Sequence, residues 1–230
     1  MAKTTRTRKI SLGERIRAEN DRLGQGLARR FAEAGVFVAN LMSSPGAGKT
    51  SLLEETARRL AGEFRMAAVN GDLATDHDGV RLRRAGLPTE VINTGGGCHL
   101  NARQVAAAVD RFDLAALDIL FIENVGNLVC PAGFDLGEHR RVVVASTPEG
   151  DDKPAKYPVA FHAADCVVLN KTDLAQAAGF SREAFERYVR ALRPDLPILA
   201  LSCRTGEGLE AWLDWVRRER AAARQGPRRR

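Results

Sequence analysis

The stretch Ser43-Ser44-Pro45-Gly46-Ala47-Gly48-Lys49-Thr50-Ser51 decides how the rest of this chain is read. The apolar run before it, Val36-Phe37-Val38-Ala39-Asn40-Leu41-Met42, predicts a buried strand. The segment after it, Leu52-Leu53-Glu54-Glu55-Thr56-Ala57-Arg58-Arg59-Leu60, has helical apolar spacing. A strand, a glycine-bearing loop, Gly-Lys-Thr and then a helix is the context of a phosphate-binding loop. Gly46 and Gly48 allow successive N–H groups to turn inward on phosphate oxygens, and the helix N-terminus adds unpaired donors and its dipole. Lys49 is placed to reach the β- and γ-phosphates, and the Thr50 hydroxyl to hold Mg²⁺. The usual pattern opens with glycine, whereas Ser43 stands at that position here.

Working outward, Ser11 to Ala34 carries helical spacing, with Ile16, Leu23, Leu27 and Phe31 on one broad side; Gly24 and Gly26 weaken that pattern. Strands are expected at Arg65–Asn70, Pro88–Asn93, Asp118–Glu123, Arg141–Ser146, Cys166–Asn170 and Pro197–Leu201. Helices are expected from Thr75 (its cap) to Ala85, about Leu100 to Val109, Arg182 to Leu192 and Leu209 to Arg220. Asn124–Asp135 and Thr147–Tyr157 read as loops. This alternation predicts an α/β fold of the three-layer P-loop NTPase type, with a mostly parallel central sheet and helices on both faces. Ligands then sit at the carboxyl ends of the strands.

The 230 residues suffice for one substantial core. The expected organisation is a flexible basic N-terminus at 1–10, a single P-loop domain with an N-terminal helix at 11–216 and an Arg-rich tail at 217–230. The net charge of +6 is concentrated at the ends: residues 1–9 hold four basic groups and no acid, and residues 217–230 hold seven arginines against Glu219. Such ends read as solvated tails, so nucleic acid is not the expected partner. No apolar run approaches the roughly 18 residues of a membrane span. No secretory leader pattern follows the basic start, so a cytoplasmic location is expected. Four unevenly spaced cysteines then indicate thiols or metal ligands rather than a disulfide frame.

Asn170-Lys171-Thr172-Asp173, after a predicted strand, is similar to the guanine-specificity motif of GTPases. Guanine offers two donors, N1–H and the exocyclic amine, to one carboxylate, and adenine cannot match that pattern. Ser202-Cys203-Arg204 resembles the loop that contacts the guanine O6. GTP is therefore expected above ATP. Mg²⁺ needs further oxygen ligands, for which Asp72 and Glu123 are placed, with Asp76 a second candidate near the phosphates. Lys49, Asp72 and Glu123 are thus the expected catalytic set. Glu123-Asn124-Val125-Gly126 stands where many GTPases carry Asp-x-x-Gly, so that Gly126 N–H would meet the γ-phosphate. No glutamine flanks Gly126, which predicts slow hydrolysis.

Cys98, His99 and Cys130 are ligands of the kind that bind Zn²⁺ or Ni²⁺. Cys98-His99, read as a helix start, cannot close a four-coordinate site alone, and three ligands per chain leave a place for water or a second subunit. Cys166 and Cys203 read as buried thiols; His77, His139 and His162 have no ligand partners in sequence.

Taken in order, Ser43–Thr50, Asn93-Thr94-Gly95-Gly96-Gly97-Cys98-His99-Leu100, Glu123-Asn124-Val125-Gly126-Asn127-Leu128-Val129-Cys130-Pro131 and Glu149-Gly150-Asp151-Asp152-Lys153-Pro154-Ala155-Lys156-Tyr157-Pro158 resemble the hydrogenase nickel-incorporation GTPase family HypB. Ser43 and Glu123 fit that family's pattern. The resemblance implies a GTPase metallochaperone that delivers nickel to a [NiFe] hydrogenase precursor. It implies a nucleotide-dependent homodimer with Cys98, His99 and Cys130 at the subunit boundary. A small zinc-containing accessory protein and the hydrogenase large-subunit precursor are the implied partners. In that reading Lys153 reaches the partner chain's phosphates. Competing readings are a urease-type accessory GTPase, a nucleic-acid binder using its Arg-rich ends, and a nucleotide-gated interaction module with structural cysteines.

Overall fold

A computed structural model of the chain describes residues 12–72 and 76–224. The expected cap Thr75 and the ends at 1–11 and 225–230 lie outside the described residues. In chain order the elements are α1 (Leu12–Ala34), β1 (Phe37–Ser43), α2 (Lys49–Leu60), β2 (Met66–Asp72), α3 (His77–Arg84), β3 (Thr89–Asn93), α4 (Ala102–Val109), β4 (Ile119–Gly126), β5 (Arg140–Ser146), α5 (Lys153–Lys156), α6 (Pro158–Ala163), β6 (Cys166–Asn170), α7 (Arg182–Leu192), β7 (Ile198–Ala200) and α8 (Leu209–Arg224).

Seven described strands form one sheet in the order β3-β2-β4-β1-β5-β6-β7. Every neighbouring pair is parallel. β1 lies at the centre because all seven of its residues are buried, as a strand covered on both faces must be. Alternation then divides its side chains. Phe37, Ala39 and Leu41 face α2 and α8, where Leu52, Leu53, Trp212 and Trp215 pack. Val38 faces Leu27 and Phe31 of α1 and Val105 of α4. Met42 meets Phe161 of α6 and Phe185 of α7.

Four local expectations change. β4 does not stop at Glu123 but runs through Gly126, because its ladder with β1 continues to the pair Ser43 and Gly126. The 147–157 stretch is built from short helical turns: a 3₁₀ turn at Thr147–Glu149, capped reciprocally by Ser146 and Glu149, and α5. α8 continues to Arg224, so 217–224 is helix and not tail: Arg217 pairs with Glu63, Glu210 and Asp214. Gly24, a weak helix former by sequence, lies where a Cβ would come within 2.8 Å of the Asp135 carbonyl oxygen, so α1 approaches that loop only with glycine there.

Arg220 of α8 is 4% exposed. Its NH2 donates to Asp118 at 2.8 Å, while its Nε and NH1 are buried without a hydrogen-bond partner. Asp118 also accepts from the backbone and Nε of Arg65, each at 3.1 Å. Burial works against the charged carboxylate, but those bonds outweigh it and hold Asp118 well below the ordinary carboxylate pKa. Asp118→Ala strips a buried guanidinium of its carboxylate and is expected to destabilise the fold by about 3 kcal/mol, read as a lower urea midpoint. A depressed pKa contributes stability that is present above the unfolded value and lost as pH falls. Acidification below roughly pH 4 should therefore cost the wild type more stability than the variant.

Candidate functional site

The loop between β1 and α2 keeps the geometry its glycines allow. Gly46 (φ 76°) and Gly48 (φ 101°) both take positive φ. A Cβ on Gly48 would stand 2.4 Å from Asn170 Nδ2, so glycine is required there for space as well as for conformation. Lys49 donates to Ser43 Oγ at 2.8 Å. The serine in the unusual first position is therefore the lysine's partner, buried on β1.

A cavity of about 430 Å³ opens at the carboxyl ends of β1, β2 and β4. Pro45, Gly46, Gly48, Lys49, Thr50, Ser51, Asp72, Glu123 and Gly126 line it together with Asp78 and Arg81 of α3. Thr50 Oγ1 donates to Glu123 Oε1 at 2.7 Å, and Asn70 Nδ2 donates to Glu123 Oε2 at 3.0 Å. Burial pushes Glu123 up, and Lys49 beside it opposes that. Burial pushes Lys49 down, and Glu123 opposes in turn. The two charges are each other's principal compensation in a desolvated place. A buried carboxylate, a threonine hydroxyl and the nearby Asp72 form an all-oxygen donor set, which fits Mg²⁺. Asp76 belongs elsewhere: it pairs with Arg83 at 2.5 Å. Sequence reasoning missed Asp78 and Arg81, which arrive only because α3 packs beside α2. Arg81 donates to Ser51 Oγ at 3.0 Å and to Glu54 at 2.7 Å.

A second cavity, about 380 Å³, shares Gly48, Ser51 and Lys171 with the first and extends to Asn170, Asp173, Leu174, Ser202, Cys203 and Arg204. Asn170 at the end of β6 is a crosspiece. Its Nδ2 donates to the Ala47 carbonyl at 3.0 Å, and its Oδ1 accepts from Lys171 N–H at 2.7 Å and Cys203 N–H at 3.2 Å. Lys171 has the αL backbone (φ 60°), and its Nζ donates to the Gly46 carbonyl at 2.6 Å. Asp173 accepts from Ser202 Oγ at 2.5 Å and from Arg204 Nε at 2.8 Å. The Ser202 bond, with Arg204, holds its carboxylate below the ordinary range. Burial pushes the Cys203 thiol up to about 12, so it stays neutral beside this cavity.

Cys98, His99 and Cys130 converge: their ligand atoms all lie within 4.8 Å of one another. Cys98 and His99 are not on a helix but in the loop ahead of α4, whose N-terminus Asn101 closes with a capping box. Cys98 Sγ lies 3.5 Å from His99 Nδ1. A hydrogen bond with Cys130 raises the Cys98 pKa, so binding a metal there releases protons. Burial lowers the pKa of His99, favouring the neutral imidazole that ligates metals, and the ring rests on Phe134 at 3.9 Å. Two thiols and an imidazole suit Zn²⁺ or Ni²⁺. Cys166 is buried in β6, as expected. Lys153 is paired with Glu149 at 3.2 Å and lies 5.0 Å over the Tyr157 ring.

A family model described as CobW/HypB/UreG, nucleotide-binding domain, matches residues 37–200, from the first residue of β1 to the last of β7. Fold and site thus define a P-loop protein of the CobW/HypB/UreG GTPase class. The hydrogenase maturation factor HypB of Azotobacter vinelandii is 48% identical over 216 residues, covering 94% of this chain and 71% of that relative. The crystal structure of HypB from Helicobacter pylori in complex with nickel matches with TM-score 0.86 at 36% identity, over 92% of this chain and 100% of that one. That of HypB from Archaeoglobus fulgidus matches with TM-score 0.83 at 40% identity, over 88% and 99%. The chain belongs to the HypB family of hydrogenase maturation factors.

Proposed function

We propose that this chain is a slow GTP hydrolase that couples its nucleotide state to the uptake and release of nickel destined for a [NiFe] hydrogenase precursor. One observation carries the reading. The stretch from Gly126 to Cys130 joins the two sites: a Cβ on Gly126 would stand 3.0 Å from Pro45 Cα of the phosphate loop, and four residues on Cys130 meets Cys98 and His99. A γ-phosphate against Gly126 N–H would set the position of Cys130.

In this reading the backbone N–H groups from Gly46 to Thr50 cradle the β-phosphate, and Lys49 leaves Ser43 to span the β- and γ-phosphates. Thr50 and Glu123, with Asp72 nearby, would hold Mg²⁺, which would supply positive charge beside the phosphates. Asp173 takes both guanine donors and Asn170 braces the loop beneath. Water attacks the γ-phosphorus, the bond to the GDP oxygen breaks, and phosphate leaves. Asn127, the residue after Gly126, has its side chain engaged with Cys98 and Val129, which agrees with slow turnover. Arg217 and Arg220 are held in ion pairs within the fold, which argues against a nucleic-acid surface there. Nickel, with Zn²⁺ as an alternative occupant, is cargo for Cys98, His99 and Cys130; the nickel complex of the H. pylori relative supports this. In this reading a second copy of the chain completes the shell, in a dimer that nucleotide controls. The family also supports cytoplasmic work with a small zinc-containing accessory protein. No described helix is long and apolar enough to cross a membrane.

Nickel titration tests the site. Cys98→Ala and Cys130→Ala are each expected to weaken nickel binding by about 100-fold, at least the loss that follows removal of a ligand's supporting group. GTP hydrolysis with Mg²⁺ but without nickel should persist in both. Unchanged nickel affinity in both variants would remove the metal role.

A further inference from the structure

Hydrogen bonds fasten the 94–100 loop to the nucleotide side of the sheet at three points. Thr94 N–H donates to the Asp72 carbonyl at 2.9 Å, and Leu100 N–H donates to Asn124 Oδ1 at 3.1 Å. These hold its two ends. The third acts in the middle, at a metal-ligating residue: Asn127 Nδ2 donates to the Cys98 carbonyl at 3.2 Å.

Asn127 is fixed from the other side by the phosphate loop. Its backbone forms an antiparallel bridge with Ser43, whose hydroxyl receives Lys49. It directly follows Gly126, which lies against Pro45. Its Oδ1 accepts from Val129 N–H at 2.8 Å, one residue before Cys130. One side-chain amide therefore touches the segment of each cysteine ligand: the donor end grips Cys98 and the acceptor end grips the approach to Cys130. Asn124 differs from it. Asn124 is buried, donates to Asn40 at 3.3 Å, and holds the layers together. Asn127 is partly exposed and contributes to no core cluster among the described residues.

We propose that Asn127 is the positioning residue through which nucleotide state sets the Cys98–Cys130 geometry. The inference rests on the nucleotide–nickel coupling proposed above and names its device. An amide is needed because the two contacts require a donor and an acceptor on one short side chain. Aspartate keeps the acceptor for Val129 N–H but sets an oxygen against the Cys98 carbonyl.

The test uses the full chain, with nickel as the metal probe, titrated against a chelator in the GDP state and with a non-hydrolysable GTP analogue. Wild type is expected to show affinities differing by at least about fivefold between the two states. In Asn127→Ala and Asn127→Asp the ratio is expected to collapse to within about twofold of unity, because the coupling free energy has lost its carrier. GDP affinity measured without nickel should be unchanged in both. The thiolate-to-nickel charge-transfer spectrum, expected to differ between nucleotide states in wild type, should become the same in both states. A wild-type ratio that survives in both variants overturns the role of Asn127 and leaves the coupling standing. A wild-type ratio of one overturns both. Loss of GDP affinity in both variants makes Asn127 part of the fold of the nucleotide loop and overturns the assignment.

Discussion

Lys49→Ala is expected to lower the single-turnover rate of GTP hydrolysis by about 10³, comparable to the loss of a well-placed cation or oxyanion donor elsewhere. The lysine is 8% exposed, has Glu123 beside it, and rests on a serine hydroxyl. A charge held in so desolvated a place interacts strongly with whatever anion reaches it. Negative charge on the oxygens between the β- and γ-phosphates grows as the terminal bond breaks, so the lysine acts more on the transition state than on bound GTP. The rate should consequently fall further than GTP affinity, and GDP affinity should fall least. Glu123 would lose its compensating cation, and its pKa, already raised by burial, should rise further. Hydrolysis within about tenfold of wild type would mean that the cavity at the end of β1 is not where the γ-phosphate reacts.

Asp173→Asn is expected to change base preference rather than turnover. The ratio of GTP to xanthosine triphosphate affinity should swing by about 10⁴, the scale on which a site built around hydrogen bonds rejects a mismatched partner. The carboxylate accepts from Ser202 and Arg204 and stays ionised. An amide there offers one acceptor and one donor, which suits the carbonyl that xanthine carries in place of the guanine amine. The neighbouring Asn170 side chain bonds to backbone groups of Ala47, Lys171 and Cys203, so the cavity walls should stand without Asp173. Unaltered GTP selectivity in the variant would take the base out of the second cavity.

The phosphate loop, the Asn170–Asp173 motif and the alternating strands were legible because each is local. A few residues in fixed spacing carry the chemistry, and an apolar run carries the strand. What escaped was set by tertiary approach. Asn124-Val125-Gly126 has turn composition, and only pairing with β1 keeps β4 extended through it. Gly24 counts against a helix by propensity, yet the neighbouring Asp135 carbonyl demands it. Asp78 and Arg81 look like ordinary helix charges until α3 lies over the phosphate cavity. Cys98, His99 and Cys130 were picked out by ligand chemistry, but that they converge could come only from the fold. Asn127 lies within the Glu123–Pro131 segment that carries the resemblance, but nothing local marks it as a bridge between the cysteines, because asparagine after glycine is common turn composition.

The nucleotide site and the cysteine–histidine cluster share one segment, from Gly126 to Cys130. The most direct measurement is nickel affinity of the wild-type chain, titrated with GDP bound and again with a non-hydrolysable GTP analogue. The dissociation constants are expected to differ by at least about fivefold, with nickel changing the relative affinity of the two nucleotides by the same factor. Identical dissociation constants in the two states would contradict it, leaving a nucleotide hydrolase whose thiols and imidazole sit beside the switch without answering to it.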